Sequence, residues 1–238
     1  MRFKIIGSMV LAAAAMSLAA SAAQASFVAQ FEADNSGAIT SFTGVGGVIN
    51  QSNVTVGTFD ITIFDATSNS GTAQKPQISA IGVGVQNNAT AGSDLLAINL
   101  WDTGFSPPPG STLTLAGSGS VTFNAAISGD SVTYASGADP LDGTYSLTTP
   151  PPVQTPLYTA TYSSGGFPQT QTLVQQTKVF IPNGTNPFSM GNNLELSLAG
   201  GSNVTLSYTT TVPEPASLGL LAVGGLGLLV RRRKRVES

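Results

Sequence analysis

The side chains that could do chemistry in this 238-residue chain are few in kind. It contains no histidine and no cysteine. That excludes Ser-His-Asp triads, Cys-His dyads, thiol exchange, and imidazole or thiolate metal sites. Between Ser26 and Val212 only two cations occur, Lys75 and Lys178, against ten acids, for a net charge of −8. A Ser-Lys dyad would have to use one of those lysines. Lys75 precedes Pro76 at a turn and Lys178 follows Thr177 in an alternating segment, so both read as solvated surface residues. Glycoside hydrolysis needs two carboxyl groups roughly 5 to 10 Å apart. No group of acids in the body is framed by the aromatic residues a sugar cleft offers. No catalytic, cofactor-binding or metal-ligating residue is therefore assigned.

The nearest thing to a ligand loop is Asp139-Pro140-Leu141-Asp142-Gly143, where two carboxylates meet around a turn that would suit Ca²⁺. Its spacing is not that of an EF-hand, and Asp-Gly is an ordinary hairpin turn, which is the preferred reading. Trp101, Tyr158 and Tyr162 are candidates for an aromatic platform on which a sugar could stack, but core packing is the preferred reading for each. The body has no arginine, so it lacks the cationic footprint of a nucleic-acid partner. Sequons at Asn50, Asn53, Asn88, Asn183 and Asn203 arise readily in so Asn-, Ser- and Thr-rich a chain.

The elements that must position these groups are strands. Apolar residues recur at every second position throughout the body. Phe27, Ala29 and Phe31 form the first such run, followed by Phe59, Ile61 and Ile63, then Ile81, Val83 and Val85, then Leu96, Ile98 and Leu100. Leu113 and Leu115, Val121 and Phe123, Val132 and Tyr134, Tyr145 and Leu147 continue the pattern. So do Tyr158 to Tyr162, Val179 and Ile181, Leu194 to Leu198, and Val204 to Tyr208. About a dozen short strands separated by Gly, Asn, Asp and Pro turns predict an all-β, antiparallel β-sandwich or jelly-roll-like body. One domain over residues 26–208 is the simpler reading; two smaller sandwiches meeting at Pro107-Pro108-Pro109 or Pro150-Pro151-Pro152 are the alternative. Residues 209–215 read as a stalk.

Both ends of the chain read as addresses. Arg2 and Lys4 precede an apolar stretch from Ile5 to about Ala20, and Ala23-Gln24-Ala25 supplies a small-residue cleavage site. Residues 1–25 are thus a signal peptide for the Sec export machinery, cut before Ser26, with Ala20-Ser21-Ala22 as the alternative site. At the other end, Pro213-Glu214-Pro215 leads into Ala216–Val230, which carries no charge, and then into Arg231, Arg232, Arg233, Lys234 and Arg235. As a helix the uncharged stretch reaches only ~22 Å against a hydrocarbon core of ~30 Å. It is nevertheless apolar all round, and the long cationic stems can snorkel to lengthen the span. A cationic cluster in that place is a cytoplasmic retention signal. The expectation is one short transmembrane helix at 216–230 and a basic cytoplasmic tail at 231–238, with the body outside.

This three-part tail resembles the PEP-CTERM sorting signal, on the residues Pro213, Glu214 and Pro215, the apolar segment to Val230 and the basic end from Arg231. The resemblance implies export, transient anchoring in the inner membrane and recognition by an exosortase. That enzyme would process the tail and release the body to the cell surface or an exopolysaccharide matrix. Glu214 would then be a recognition residue rather than a catalytic one. An ordinary tail anchor, with Pro-Glu-Pro as a rigid turn, is the competing reading. Three function classes follow: a non-enzymatic surface or matrix protein, which is preferred; a carbohydrate-binding module; and a glycan hydrolase.

Overall fold

The computed structural model describes residues 26–213 except 35, 71–74, 108–111 and 148–149. Over those residues the alternating pattern becomes thirteen strands, every pair of them antiparallel, in two facing sheets. β1 (Val28–Ala33) and β2 (Ile39–Thr43) lie in sheet A, and β3 (Val48–Val56), β4 (Phe59–Ser68) and β5 (Gln77–Asn87) in sheet B. β6 (Ser93–Phe105) returns to A and β7 (Leu113–Ala125) to B. β8 (Ser131–Asp139), β9 (Val153–Gln154) and β10 (Tyr158–Thr161) belong to A. β11 (Gln169–Phe180), β12 (Phe188–Ala199) and β13 (Asn203–Thr211) then alternate B, A, B. Sheet A runs β10-β8-β12-β6-β1-β2 with β9 beside β8; sheet B runs β11-β7-β13-β5-β4-β3. The expected all-β sandwich is the fold observed.

One continuous core fills the space between the sheets. Phe31 of β1 meets Phe64 of β4 edge-to-face at 5.0 Å, a favoured aromatic geometry that ties A to B. Strands on both sides of each proline-rich connection contribute to this core, through Leu100 and Leu113, and through Tyr134 and Ala160. The two-domain alternative therefore has no boundary to fall on.

Sheet B departs from simple alternation along a seam of bulges. The β4–β5 register shifts between Ile61 and Asp65, β5–β13 between Leu206 and Tyr208, and β11–β7 between Leu173 and Gln176. Gly82, at φ +67°, takes the left-handed backbone one such bulge needs. Each shift reverses which face the following residues present. Phe59, Ile61 and Phe64 point inward while Ile63 is exposed; Ala80 and Val83 point inward while Ile81 is 66% exposed. Leu173 and Phe180 are buried, whereas Val179 and Ile181 are not. The uninterrupted runs expected at Ile63, Ile81 and Val179–Ile181 are thus corrected. Tyr145 and Leu147 also form no strand: their segment belongs to the connection between β8 and β9.

The chain enters and leaves at the same end, here the basal end. β1 starts there and β13 finishes there, beside the β2–β3 hairpin and the β4–β5, β6–β7, β8–β9 and β11–β12 connections. The remaining turns form the distal end.

Candidate functional site

β13 is the strand that leads into the tail, and it is held from both sides. It lies between β5 and β7, and Thr211 pairs with Gln77 on one side and Ala116 on the other. Its inward side carries Val204, Leu206, Tyr208 and Thr210, all buried. The alternation continues past the strand to Val212, which is fully buried and donates its N–H to the Pro76 carbonyl at 3.0 Å. The stalk expected from residue 209 is therefore corrected: residues 209–212 are part of the sandwich, and Pro213 is the last described residue. Glu214, Pro215, the 216–230 stretch and Arg231 to Arg235 lie outside the described residues, as do Ala23 and Ala25. Ser26 is described; its N–H donates to Thr103 Oγ1 at 3.1 Å, and Phe27 beside it is buried.

A polar lock sits between the sheets beneath this exit. Ser136 of β8, Asn192 of β12 and Thr210 of β13 converge on one another, and Tyr134 Oη reaches Ser136 Oγ at 2.6 Å and the Thr209 carbonyl at 3.1 Å. Burial pushes the Tyr134 hydroxyl above its ordinary value, so it stays neutral. With no group here that titrates near neutrality, the cluster has no acid–base chemistry. It pins the end of β13 to sheet A. Sequence reasoning missed it because its members are scattered from residue 134 to residue 210.

The outer face of sheet A carries a different arrangement. The β8–β9 connection runs over it, with Tyr145 against Gly191 and Pro151 against Gly137; a Cβ at Gly137 would sit 2.3 Å from Pro151 Cγ. Beside this strap is a cleft of about 210 Å³, bounded by Ala97, Thr133, Asn193 and Glu195 on the sheet and by Leu147 and Leu157 above. Asn99 is paired with Asn193 across the strands and is 0% exposed, yet neither of its amide atoms has a hydrogen-bond partner. Trp101 Nε1 and Gln30 Oε1 next to it are likewise unpartnered. The three aromatic platform candidates are not brought together. Trp101 is only 5% exposed on this outer face, Tyr162 is buried in the core, and Tyr158 packs against the core from β10. Both tyrosines pack with the core, the role preferred for them on the sequence, and they form no sugar platform with Trp101.

The acids of the proposed calcium loop serve the fold. Asp139 Oδ1 accepts the Leu141 N–H at 2.8 Å, and Asp142, at φ +58°, accepts the Gly104 N–H at 2.8 Å. Asp142-Gly143 is not the hairpin turn expected either, since no strand follows it. Asp102 is fully buried between the sheets, where Ser70 Oγ donates to it at 2.5 Å. Desolvation raises its pKa; hydrogen bonds from Ser68, Ser70 and Thr103 act against that, and the charge of Asp142 adds to it. Burial likewise raises Asp142, with Asp139 contributing repulsion. A raised carboxyl can act as a general acid, but Asp102 is sealed from any substrate. Among the described residues no group of three acids is arranged to hold a metal ion. Lys75 and Lys178 are exposed, as the sequence suggests.

Sandwich and tail together define an all-β body attached to a sorting signal. The chain carries a PEP-CTERM protein-sorting motif: the family model of that description matches residues 211–234, beginning on the last residue of β13. No curated protein matches the sequence. Among solved structures the chain is similar to TmCBM61 in complex with beta-1,4-galactotriose, at 8% identity and TM-score 0.25, over 61% of this chain and 80% of that one. It is similar to the Podospora anserina GH26-CBM35 beta-(1,4)-mannanase at 14% identity and TM-score 0.26, over 72% of this chain but only 29% of that one. A third likeness is to carbohydrate-binding modules from the β-sandwich superfamily, at 14% identity and TM-score 0.27, over 79% of this chain and 83% of that one. At such TM-scores none of these likenesses bears on what the chain binds. Its fold rests on its own strand order.

Proposed function

We propose that this is an exported, non-enzymatic cell-surface or exopolysaccharide-matrix protein. It reaches the inner membrane through the Sec machinery and is anchored there once, body outside and C-terminus in the cytoplasm. An exosortase then recognises Pro213-Glu214-Pro215, processes the tail and frees the body. The observation that carries this reading is the sorting motif, which begins on Thr211 and so is continuous with a central strand of the sandwich. Intact-mass spectrometry of membrane and extracellular fractions tests it. The expected extracellular form begins at Ser26 and ends near Pro213 to Pro215. A protein that keeps Arg231 to Arg235 and stays in the membrane would be an ordinary anchored protein.

A second reading, carbohydrate binding, is favoured by the cleft on sheet A. Its amide and carboxylate floor beneath an apolar rim suits a hydroxyl-rich ligand, which offers matched donors and acceptors. A glycan array probed with the wild type and with Asn193→Ala tests this. Binding that the substitution abolishes supports the cleft; no binding to any glycan leaves the structural role alone.

A further inference from the structure

The basal end is built to meet a surface, and the tail sets how close that surface lies. Between buried Val212 and the uncharged stretch from Ala216 stand only Pro213, Glu214 and Pro215. The four steps from Val212 to Ala216 reach about 14 Å at full extension. The headgroup layer alone is roughly 5 to 8 Å deep on each side of the hydrocarbon core. While the tail spans the membrane, Val212 is therefore held within about 10 Å of the headgroup layer, and the basal loops face it at close range.

The residues on those loops fit that position. Val45, 86% exposed, tips the β2–β3 hairpin and bridges to Val48, also exposed. Leu141, 74% exposed, projects from the turn after β8. Ile181, 67% exposed, follows the end of β11 next to exposed Val179. Single exposed aliphatics are ordinary, but here they mark three separate loops of one end. The distal end also exposes apolar residues, at Ile127 and at Phe167, which stacks on Tyr162 at 5.2 Å.

Charge separates the two ends. Both lysines lie in the basal half: Lys75 ahead of β5, and Lys178 two residues before the end of β11. Of the acids in that half, Asp102, Asp139 and Asp142 are buried or half-buried and accept hydrogen bonds, and one, Asp65 on β4, is exposed, against the two exposed lysines. Glu32, Asp34, Asp60, Asp94 and Asp130 all stand at or near the distal end. An anionic bilayer attracts the first arrangement and repels the second.

We propose that the basal end is a membrane-contact surface, with Val45, Leu141 and Ile181 seated in the headgroup layer of an anionic bilayer and Lys75 and Lys178 facing its phosphates. The sandwich stands upright on this base. The inference rests on the anchored-precursor reading above, and the test separates the two.

Because the chain has no cysteine, Val45→Cys, Leu141→Cys, Ile181→Cys and the distal control Ile127→Cys can each carry one fluorophore. The full chain, purified from membranes of cells without exosortase, is reconstituted into phosphatidylethanolamine–phosphatidylglycerol vesicles containing headgroup-nitroxide lipid. Quenching at 45, 141 and 181 is expected to exceed that at 127 severalfold, at high lipid excess as well as low. A Gly-Ser spacer inserted between Val212 and Pro213 should leave most of that contrast in place, because the surface itself holds the membrane. Equal quenching at all four sites overturns the proposal. So does a contrast that vanishes with the spacer, which means proximity alone, or one that vanishes on dilution in lipid, which means contact with a second copy. Alkaline carbonate extraction of the same vesicles reports on the anchor. A chain that is stripped off refutes the anchored-precursor reading; a chain that stays but shows no contrast refutes only the contact surface.

Discussion

The two ends of the sandwich use carboxylates to organise loops, but they place them differently. At the distal end the acids are dispersed, each holding a different turn. Asp34 accepts the Leu95 N–H, Asp94 accepts Thr58 Oγ1, Asp60 accepts Asn88 Nδ2, and Glu32 accepts the Gly37 N–H. Asp130 does most, accepting from the Ile127 and Ala199 N–H groups at 2.7 Å each and from Ser202 Oγ at 2.6 Å. At the basal end three acids gather at one corner, where Asp142 and its neighbours Asp102 and Asp139 repel, while Val45 and Ile181 stand exposed on two other loops. Dispersed acids keep a solvated end soluble. Gathering them into hydrogen bonds frees the rest of the basal end to meet an apolar or anionic surface. The comparison teaches that loop chemistry here follows the direction in which the tail leaves.

The largest effect is expected at Asp130. Replacing it with alanine leaves three donors without their acceptor, at a cost of about 3 kcal/mol. In a chain of this size that lowers Tm by roughly 6–12 °C, measurable by thermal melting. A change much smaller than this would mean that water closes the distal end unaided.

At the basal end, Thr210→Val keeps the shape of the lock but removes the hydroxyl that joins Ser136 and Asn192. A loss of roughly 1–2 kcal/mol is expected. Hydrogen exchange at the Thr211 and Val212 amides should quicken more than at the Val204 amide. Uniform quickening would show that the lock serves the whole sandwich rather than the exit of the tail.

Asp102→Asn should act in the opposite direction and stabilise. The folded pKa of Asp102 is raised, so its protonated form is favoured in the fold. Below the unfolded value, about 3.9, wild type pays no charge penalty; the penalty grows as pH rises towards the folded value and is complete above it. The asparagine variant should therefore melt a few degrees higher at pH 7 and show no advantage near pH 4. Melting curves across that range check the sign.

The smallest effects on stability are expected for Leu141→Ser, Ile181→Ser and Asn193→Ala, each within about 0.5 kcal/mol. The first two should weaken vesicle contact, and the third should alter only glycan binding. A marked loss of Tm in any of them would show that the residue belongs to the fold and not to a surface.

Class of fold and destination were legible because each is written in contiguous residues. A period of two with β-branched and aromatic residues gives strands wherever it occurs, and β13 follows it through Val212 without a break. The sorting motif is likewise a local string, Pro213 to Arg235, readable without knowing the fold. Phase was not legible. Nothing near Ile63 or Ile81 announces the bulges that turn them outward, apart from the glycine at 82, which is equally at home in a plain strand. β2 was missed because its exposed and half-buried residues, Ile39 to Thr43, carry little apolar pattern.

The sequence by itself determined that this chain is β-structured, histidine- and cysteine-free, acidic in its body and tailed with a sorting signal. Tertiary structure alone decided that Trp101 is covered, that Ser136, Asn192 and Thr210 meet, and that aliphatic loop tips and both lysines share the half from which the tail departs. The reason is physical. Periodicity and composition are properties of neighbours along the chain, whereas a lock, a cleft or a charged end is made by residues that only the pairing of distant strands brings together.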